Sequence, residues 1–145
     1  MAAELFASEP VAPVPEPIWM EVFDAILAHD RDLMVHGGAT GVRDAGLLES
    51  ALMRPRNLWL YSETPPTWHA MAAAYAFGVS SNHPFVDGNK RTALLVSFIF
   101  LETNGVEVIA TQEDAYLTFM ALAAGQMTES ELAAWFQRNT TPAQQ

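Results

Sequence analysis

The sequence predicts an all-α domain of about six helices packed around one buried central helix. Apolar residues recur at helical spacing in successive segments of the chain, which indicates amphipathic helices. Threonine and aspartate, which are typical of helix starts, precede several of these segments. Half of the 145 residues are apolar and only 17% are charged, a composition typical of one compact globular domain.

The domain is expected to occupy residues 17–140. Residues 1–16 are rich in proline, alanine and glutamate, and we predict that they form an extended arm. Residues 141–145 are expected to be a short tail. No internal repeat is found.

The first helix is predicted to run from Pro17 to about Asp32, because proline suits the first turn of a helix. A set of apolar residues at helical spacing is expected to form its buried face: Ile18, Val22, Phe23, Ile26 and Leu27.

The second helix is predicted to begin after Asp44, which can cap it. It is expected to end near Arg54, because Pro55 follows and proline disrupts a helix interior. Residues 56–66 are then expected to form a loop. Thr67 begins the third helix, which we predict to end near Ser80.

The central helix is predicted from Asn89 to Asn104 and is closed by Gly105. It is apolar almost all the way round, which favours a position at the centre of the bundle. A short extended piece is expected at residues 106–109. Two further helices are predicted from capping-box patterns, Thr111 with Asp114 and Thr128 with Glu131.

The segment His83–Arg91, HPFVDGNKR, enters the central helix and carries the residues for phosphate binding. A helix N-terminus presents unpaired N–H groups and a partial positive charge to an anion. Gly88 allows a ligand to approach the backbone closely. Asn89 adds amide donors, and Lys90 and Arg91 add full positive charges.

Two residues just upstream suit transfer chemistry. His83 can accept the proton of an incoming hydroxyl, and Asp87 can hold Mg²⁺. Other interpretations remain open at this point. Asp87 or Asn89 could be a helix cap, His83 an ordinary loop residue, and the two cations ordinary surface charges. A zinc site is not expected, since no third ligand is near.

HPFVDGNKR resembles the motif of the Fic family. Within that family it is more similar to the death-on-curing (Doc) type toxins than to the adenylyltransferases. Lys90 stands where adenylyltransferases have glycine, and Leu94 where they have a second arginine. Residues 37–52 also resemble a segment common in Doc-like proteins. The similarity covers about residues 18–140.

The resemblance implies the Fic fold and a role for several residues of the motif. His83 would be the general base, and Asp87 would hold Mg²⁺. Gly88 and Asn89 would form an anion hole, and Arg91 would pair with a phosphate.

Lys90 is the residue on which the implied reaction depends. In Doc-like enzymes a lysine there accompanies an inverted ATP and transfer of its γ-phosphoryl group. The resemblance therefore implies a toxin kinase that modifies a hydroxyl on a translation factor, with elongation factor Tu as the expected target, and so arrests translation. AMP transfer by the same site, or a catalytically silent binding module, remain as alternatives.

The resemblance also implies a partner and a target-binding flap. No copy of the family's inhibitory glutamate motif is found, so control in trans by a Phd-like antitoxin is expected. Gly37, Gly38 and Gly41 are expected to lie in a short flap that aligns the target peptide. A plain connection between helices is the alternative for this segment.

Charge and hydropathy exclude several other classes of protein. The net charge of −10 and the pI near 4.6 argue against binding to nucleic acid or to anionic lipid. The apolar stretch Thr92–Leu101 is too short to cross a bilayer. No signal-peptide pattern and no cysteine are present, so a cytoplasmic location is expected.

Overall fold

The computed structural model describes residues 14–142. Most of the expected arm, residues 1–13, and the last part of the expected tail, residues 143–145, lie outside the described residues. The first described residues, 14–21, have no regular secondary structure.

Six helices and two short strands make up the described part of the chain, which confirms the all-α class. The helices are α1 (Val22–His36), α2 (Ala45–Tyr61), α3 (Trp68–Asn82), α4 (Asn89–Thr103), α5 (Gln112–Ala123) and α6 (Glu129–Arg138). Strand β1 (Val106–Val108) pairs antiparallel with β2 (Thr140–Pro142). The extended piece after α4 was expected, but its partner β2, which extends beyond residue 140, was not.

The predicted helix starts are confirmed at four positions. Each capping side chain accepts a hydrogen bond from the main-chain N–H three residues further on: Asp44, Thr67, Thr111 and Thr128. At Thr128 the reciprocal bond with Glu131 completes the capping box. Asp114 does not return the bond to Thr111, because its carboxylate accepts a hydrogen bond from the indole of Trp135 at 3.0 Å.

The first helix begins at Val22, so the prediction of a start at Pro17 was wrong. Glu21 is its N-cap and forms a capping box with Asp24. The residues before it remain extended because their polar groups find partners in the bundle. The Met20 N–H donates to the Tyr75 hydroxyl at 2.9 Å, and the Ile18 main chain bonds to the Asn104 amide.

The buried face of α1 also differs from the predicted one. Phe23 is 72% exposed, and Ile18, Val22 and Leu27 are exposed as well. The buried residues of this helix are Ala25, Ala28, His29, Asp32 and Leu33. Hydropathy alone does not predict this face, because two of its members are polar. His29 is buried against the loop between α3 and α4, and Asp32 pairs with Arg91 in the first turn of α4.

Helix α2 continues through Pro55 to Tyr61, so the expected end at Arg54 and the loop over residues 56–61 were wrong. Pro55 is buried, and its ring removes the N–H that would bond to the Ala51 carbonyl. Ion pairs stabilise the helix on both sides of the proline, since Arg54 pairs with Glu129 and Arg56 with Glu21.

The centre of the bundle is shared by α3 and α4. Nine residues of α3 are buried, compared with six of α4, so α3 is the more completely enclosed helix. The rings of Tyr75 and Phe100 join the two helices at 4.9 Å between centroids. Five of the fifteen residues of α3 are alanines, which lets neighbouring helices approach it closely. None of the helices within residues 14–142 has the length and hydropathy to cross a membrane.

Candidate active site

The motif HPFVDGNKR lies at the turn between α3 and α4, and His83 ends α3. Its backbone is left-handed, with φ 47° and ψ 55°. This conformation costs a residue with a side chain about 1–2 kcal/mol, and such residues cluster at functional sites. The imidazole is exposed and has no hydrogen-bond partner within residues 14–142. It is therefore accessible to a substrate.

The turn is anchored by Phe85 and Asn89. Phe85 is buried, as is Pro84 before it. The Asn89 Oδ1 accepts from the Phe85 N–H at 2.9 Å, and its Nδ2 donates to the Phe85 carbonyl at 2.9 Å. Most of the side-chain capacity of Asn89 is thus used to hold the loop, and its main-chain N–H remains for a ligand.

The N-terminus of α4 is not capped by any side chain. Gly88 is the N-cap residue, with φ 76° and ψ 18°. In the described part of the chain, the N–H groups of Asn89, Lys90 and Arg91 have no hydrogen-bond acceptor. The alternative that Asp87 or Asn89 caps this helix is therefore wrong, and the first turn is a ready anion site.

Asp87 lies between the motif turn and the connection that follows α1. Its Oδ1 accepts from the Gly88 N–H at 2.8 Å, and its Oδ2 from the Ala39 N–H at 3.3 Å. The carboxylate is exposed. No group of three or more His, Asp or Glu residues that could hold a metal occurs among the described residues. A magnesium ion there would need ligands from the substrate and water, which is its usual mode of binding.

The two cations of the motif point to different helices. Arg91 donates from Nε to Asp32 Oδ2 at 2.9 Å, and the buried Asp32 also lies 3.0 Å from His36 Nδ1. The Arg91 Nη groups donate no hydrogen bond within residues 14–142, and guanidinium N–H groups of this kind can bind a phosphate. The Lys90 Nζ lies 2.7 Å from Met120 Sδ and 5.6 Å from the Tyr116 ring centre, both on α5.

The connection between α1 and α2 pairs with the motif turn and is more than a plain linker. Arg43 donates from Nε to the His83 carbonyl at 2.7 Å and from Nη2 to the Asn82 carbonyl at 2.9 Å. Val42 forms a β-bridge with Phe85, and the Val86 N–H donates to the Gly41 carbonyl at 3.0 Å. Arg43 thereby neutralises the C-terminal end of α3 and fixes His83.

The glycines expected in the flap line this connection. Gly38 approaches Asp87 so closely that a Cβ built on it would lie 2.8 Å from Asp87 Oδ2. The Gly37 N–H donates to the Leu33 carbonyl at 2.7 Å, which ends α1. Together with Gly41 they bring an exposed main-chain segment beside Asp87.

Three residues of α1 belong to the site and were not singled out from the sequence. His29 and Asp32 contact the motif, whereas His36 reaches it only through Asp32. Their spacing of three and four residues places polar side chains on one face of a helix. That pattern is the signal that could have identified them.

Comparison with known proteins places this site in a family. The model of the Fic/DOC family matches residues 19–101. The protein kinase doc of Escherichia phage P1 is 34% identical over 115 residues, which cover 79% of this chain and 90% of the phage protein. Toxin Doc of Mycolicibacterium smegmatis is 42% identical over 74 residues, 51% of this chain and 57% of that protein. The chain with this uncapped helix and its histidine-bearing turn therefore belongs to the Fic/DOC family.

Proposed function

We propose that this protein is a Doc-like toxin kinase that transfers the γ-phosphoryl group of ATP to a serine or threonine hydroxyl of a translation factor. Elongation factor Tu is the expected target. The observation that carries the proposal is the uncapped N-terminus of α4, with the exposed side chains of His83, Asp87 and Arg91 around it. The name of the phage relative, a protein kinase, supports the same reaction.

The phosphates of ATP bind to the first turn of α4. The N–H groups of Asn89, Lys90 and Arg91 donate to phosphate oxygens, and the helix dipole favours their negative charge. Arg91 adds a charge-assisted contact from its Nη groups, since Asp32 holds Nε and fixes the guanidinium. Gly88 lets the phosphates approach the backbone.

His83 acts as the general base. Its imidazole accepts the proton of the target hydroxyl as the hydroxyl oxygen forms a bond to the γ-phosphorus. The bond from that phosphorus to the β–γ bridging oxygen breaks, and ADP leaves with the electron pair. The left-handed backbone and the two bonds from Arg43 keep His83 at the rim of the turn.

Asp87 is the residue that would hold Mg²⁺ at this site. Its exposed carboxylate lies next to the N-terminus of α4, and oxygen ligands of this kind suit Mg²⁺. When bound, the ion spreads the charge that develops on the phosphate oxygens. The hydrogen bonds from Gly88 and Ala39 orient the carboxylate for this role.

Lys90 and Leu94 favour transfer of the γ-phosphoryl group over transfer of AMP. Lys90 adds bulk and charge in the first turn, and its contacts with Met120 and Tyr116 hold it at one side of the site. Leu94 packs against the core and offers no group for a phosphate.

The exposed main chain around Gly37, Gly38 and Gly41 aligns the target peptide beside Asp87. A Phd-like antitoxin controls the enzyme in trans in the cytoplasm. Exposed apolar side chains on and before α1, among them Ile18, Phe23 and Leu27, support binding to a protein partner.

The test is transfer of label to purified elongation factor Tu. The protein is incubated with the factor and with ATP labelled at either the γ- or the α-phosphate, in the presence of Mg²⁺. We expect label on the factor from γ-labelled ATP only. Label on the factor from α-labelled ATP would show that the protein transfers AMP and is an adenylyltransferase rather than a kinase.

His83→Ala is the matched control, because the imidazole is exposed and its removal disturbs no hydrogen bond of the described fold. We expect it to abolish both the transfer and the growth arrest on expression. A growth arrest that persists unchanged in this variant would contradict the catalytic account and favour a binding module.

A further inference from the structure

We propose that His29 is a positioning residue that holds the Asp87–Gly88 peptide, so that the Asp87 carboxylate and the N-terminus of α4 meet the same ligand. His29 is one of the few polar residues of the core, with 1% of its surface exposed. This inference rests on the proposed function, because it assigns a role in binding Mg²⁺ and ATP at that site.

The contact that carries the inference joins α1 to the motif turn. His29 Nε2 lies 2.7 Å from the Asp87 carbonyl oxygen. A carbonyl only accepts hydrogen bonds, so Nε2 must carry a proton and act as the donor. The other ring nitrogen, Nδ1, lies 3.3 Å from the Asp30 carboxylate. His29 is thus a buried donor to the residue whose side chain is expected to bind Mg²⁺.

The face of the same imidazole ring packs against the motif turn. The imidazole stacks on Phe85, with ring centres 4.0 Å apart and planes 9° from parallel. A Cβ built on Gly88 would lie 3.7 Å from two atoms of the ring. His29 therefore contacts Phe85 and Asp87 directly and lies beside the backbone of Gly88.

These contacts fix the direction of a short piece of backbone. The Asp87 carbonyl belongs to the peptide that enters the N-cap residue Gly88. If its donor is lost, this peptide can rotate, since glycine resists rotation less than any other residue. Rotation would move the Asp87 carboxylate and the first N–H groups of α4 relative to each other. Weaker binding of Mg²⁺ and ATP would follow, with a smaller effect on the proton transfer at His83.

The test separates the effect of the hydrogen-bond donor from the effect of ring stacking. His29→Phe keeps a ring that can stack on Phe85 but has no donor. His29→Gln and His29→Met form a matched pair of similar length and shape, of which only glutamine can donate to the Asp87 carbonyl. All three are compared with the wild-type protein for binding of ATP with Mg²⁺ by calorimetry, and for KM and kcat in the transfer to elongation factor Tu.

We expect His29→Phe and His29→Met to weaken the binding of ATP with Mg²⁺ and to raise KM about 10-fold or more, the usual effect of removing a partner of a metal-binding group. Their kcat should fall less than KM rises, and His29→Gln should recover most of the lost affinity. If all three variants bind ATP as the wild type does, or if glutamine and methionine behave alike, His29 has no positioning role.

The calorimetric measurement keeps this inference distinct from the proposed function. If the wild type binds ATP with Mg²⁺ but transfers no γ-phosphoryl group, the kinase proposal fails, and the three variants still test His29. Urea unfolding shows which variants are folded. Should His29→Phe fail to fold, the glutamine and methionine pair decides the outcome.

Discussion

At Gly38 the main chain passes so close to Asp87 that no side chain fits between them. A Cβ on Gly38 would lie 2.8 Å from Asp87 Oδ2 and 2.9 Å from the Leu33 side chain. Its φ of 127° is also one that only glycine adopts readily. The contact makes the shape of the flap segment and the position of the carboxylate depend on each other.

Gly38→Ala should displace the Asp87 carboxylate and reduce activity at least tenfold. Gly37→Ala is the control, since φ there is also positive, at 77°, but nothing lies within 4 Å of the added Cβ. Each change should lower the free energy of unfolding by about 1–3 kcal/mol because of its backbone strain. Only Gly38→Ala should also raise the Mg²⁺ concentration needed for half-maximal transfer. Equal Mg²⁺ requirements in the two variants would count against this coupling.

The residues of the site were predictable from the sequence where they are neighbours along the chain. His83, Asp87 and Arg91 lie within nine residues, so their proximity follows from the chain itself. Their supports, Asp32 on Arg91 and Arg43 on His83, come from more than thirty residues away. The spacing of polar residues can indicate such a helix face, but which residues it pairs with depends on how the helices pack, and local patterns do not reveal that.

At the scale of elements, α2 and α3 are held together at unusually short range. A Cβ on Gly78 of α3 would lie 3.1 Å from both the Cα and the carbonyl oxygen of Ala51 in α2. The aliphatic part of Arg54 would be even closer, at 2.8 Å. The absence of a side chain at Gly78 therefore sets the distance between the two helices.

Gly78→Ala should force α2 and α3 apart and lower the free energy of unfolding by about 1–3 kcal/mol, the usual effect of overpacking a core. Gly46→Ala is the matched control within a helix. Its nearest atom would be Asp44 Oδ1 at 3.4 Å, and alanine favours a helix over glycine by about 0.5–1 kcal/mol. Urea unfolding of both variants measures the two effects, which should have opposite signs. A stabilised Gly78→Ala would mean that the helices separate easily.

Helix starts were predicted correctly where the signal is local, as at Thr67 and Thr128, because the capping bond spans only three residues. The predicted helix end at Arg54 was wrong because it rested on Pro55 alone. Its lost hydrogen bond is outweighed by burial of its ring and by the ion pairs of Arg54 and Arg56 with distant glutamates. Strand β2 was missed since a three-residue strand exists only through its partner β1.

At the scale of the whole molecule, Tyr75 fastens the N-terminal segment to the bundle. Its hydroxyl accepts the Met20 N–H at 2.9 Å and its ring packs on Phe100. Burial raises the pKa of Tyr75 to about 12. The folded state therefore keeps the proton at a pH where an unfolded chain, with a tyrosine pKa of about 10, has released it.

The stability contributed by this shift is fully present below about pH 10 and is lost as the pH rises towards 12. Tyr75→Phe should remove that part of the pH dependence. At neutral pH it should cost about 1 kcal/mol for the hydrogen bond to Met20. Urea unfolding at a series of alkaline pH values, for wild type and variant, measures both. Parallel curves above pH 10 would show that Tyr75 does not govern alkaline unfolding.

At position 83 the left-handed backbone conformation lowers the stability of the fold, whereas the histidine side chain serves the proposed activity. Glycine or asparagine would accept this conformation more readily than histidine, by about 1 kcal/mol in the case of glycine. On the proposed mechanism, in which His83 is the general base, the most stable form of this protein and its most active form carry different residues at position 83. Selection of variants for thermal stability alone would therefore favour an inactive protein, whereas selection for phosphoryl transfer would retain the strained histidine.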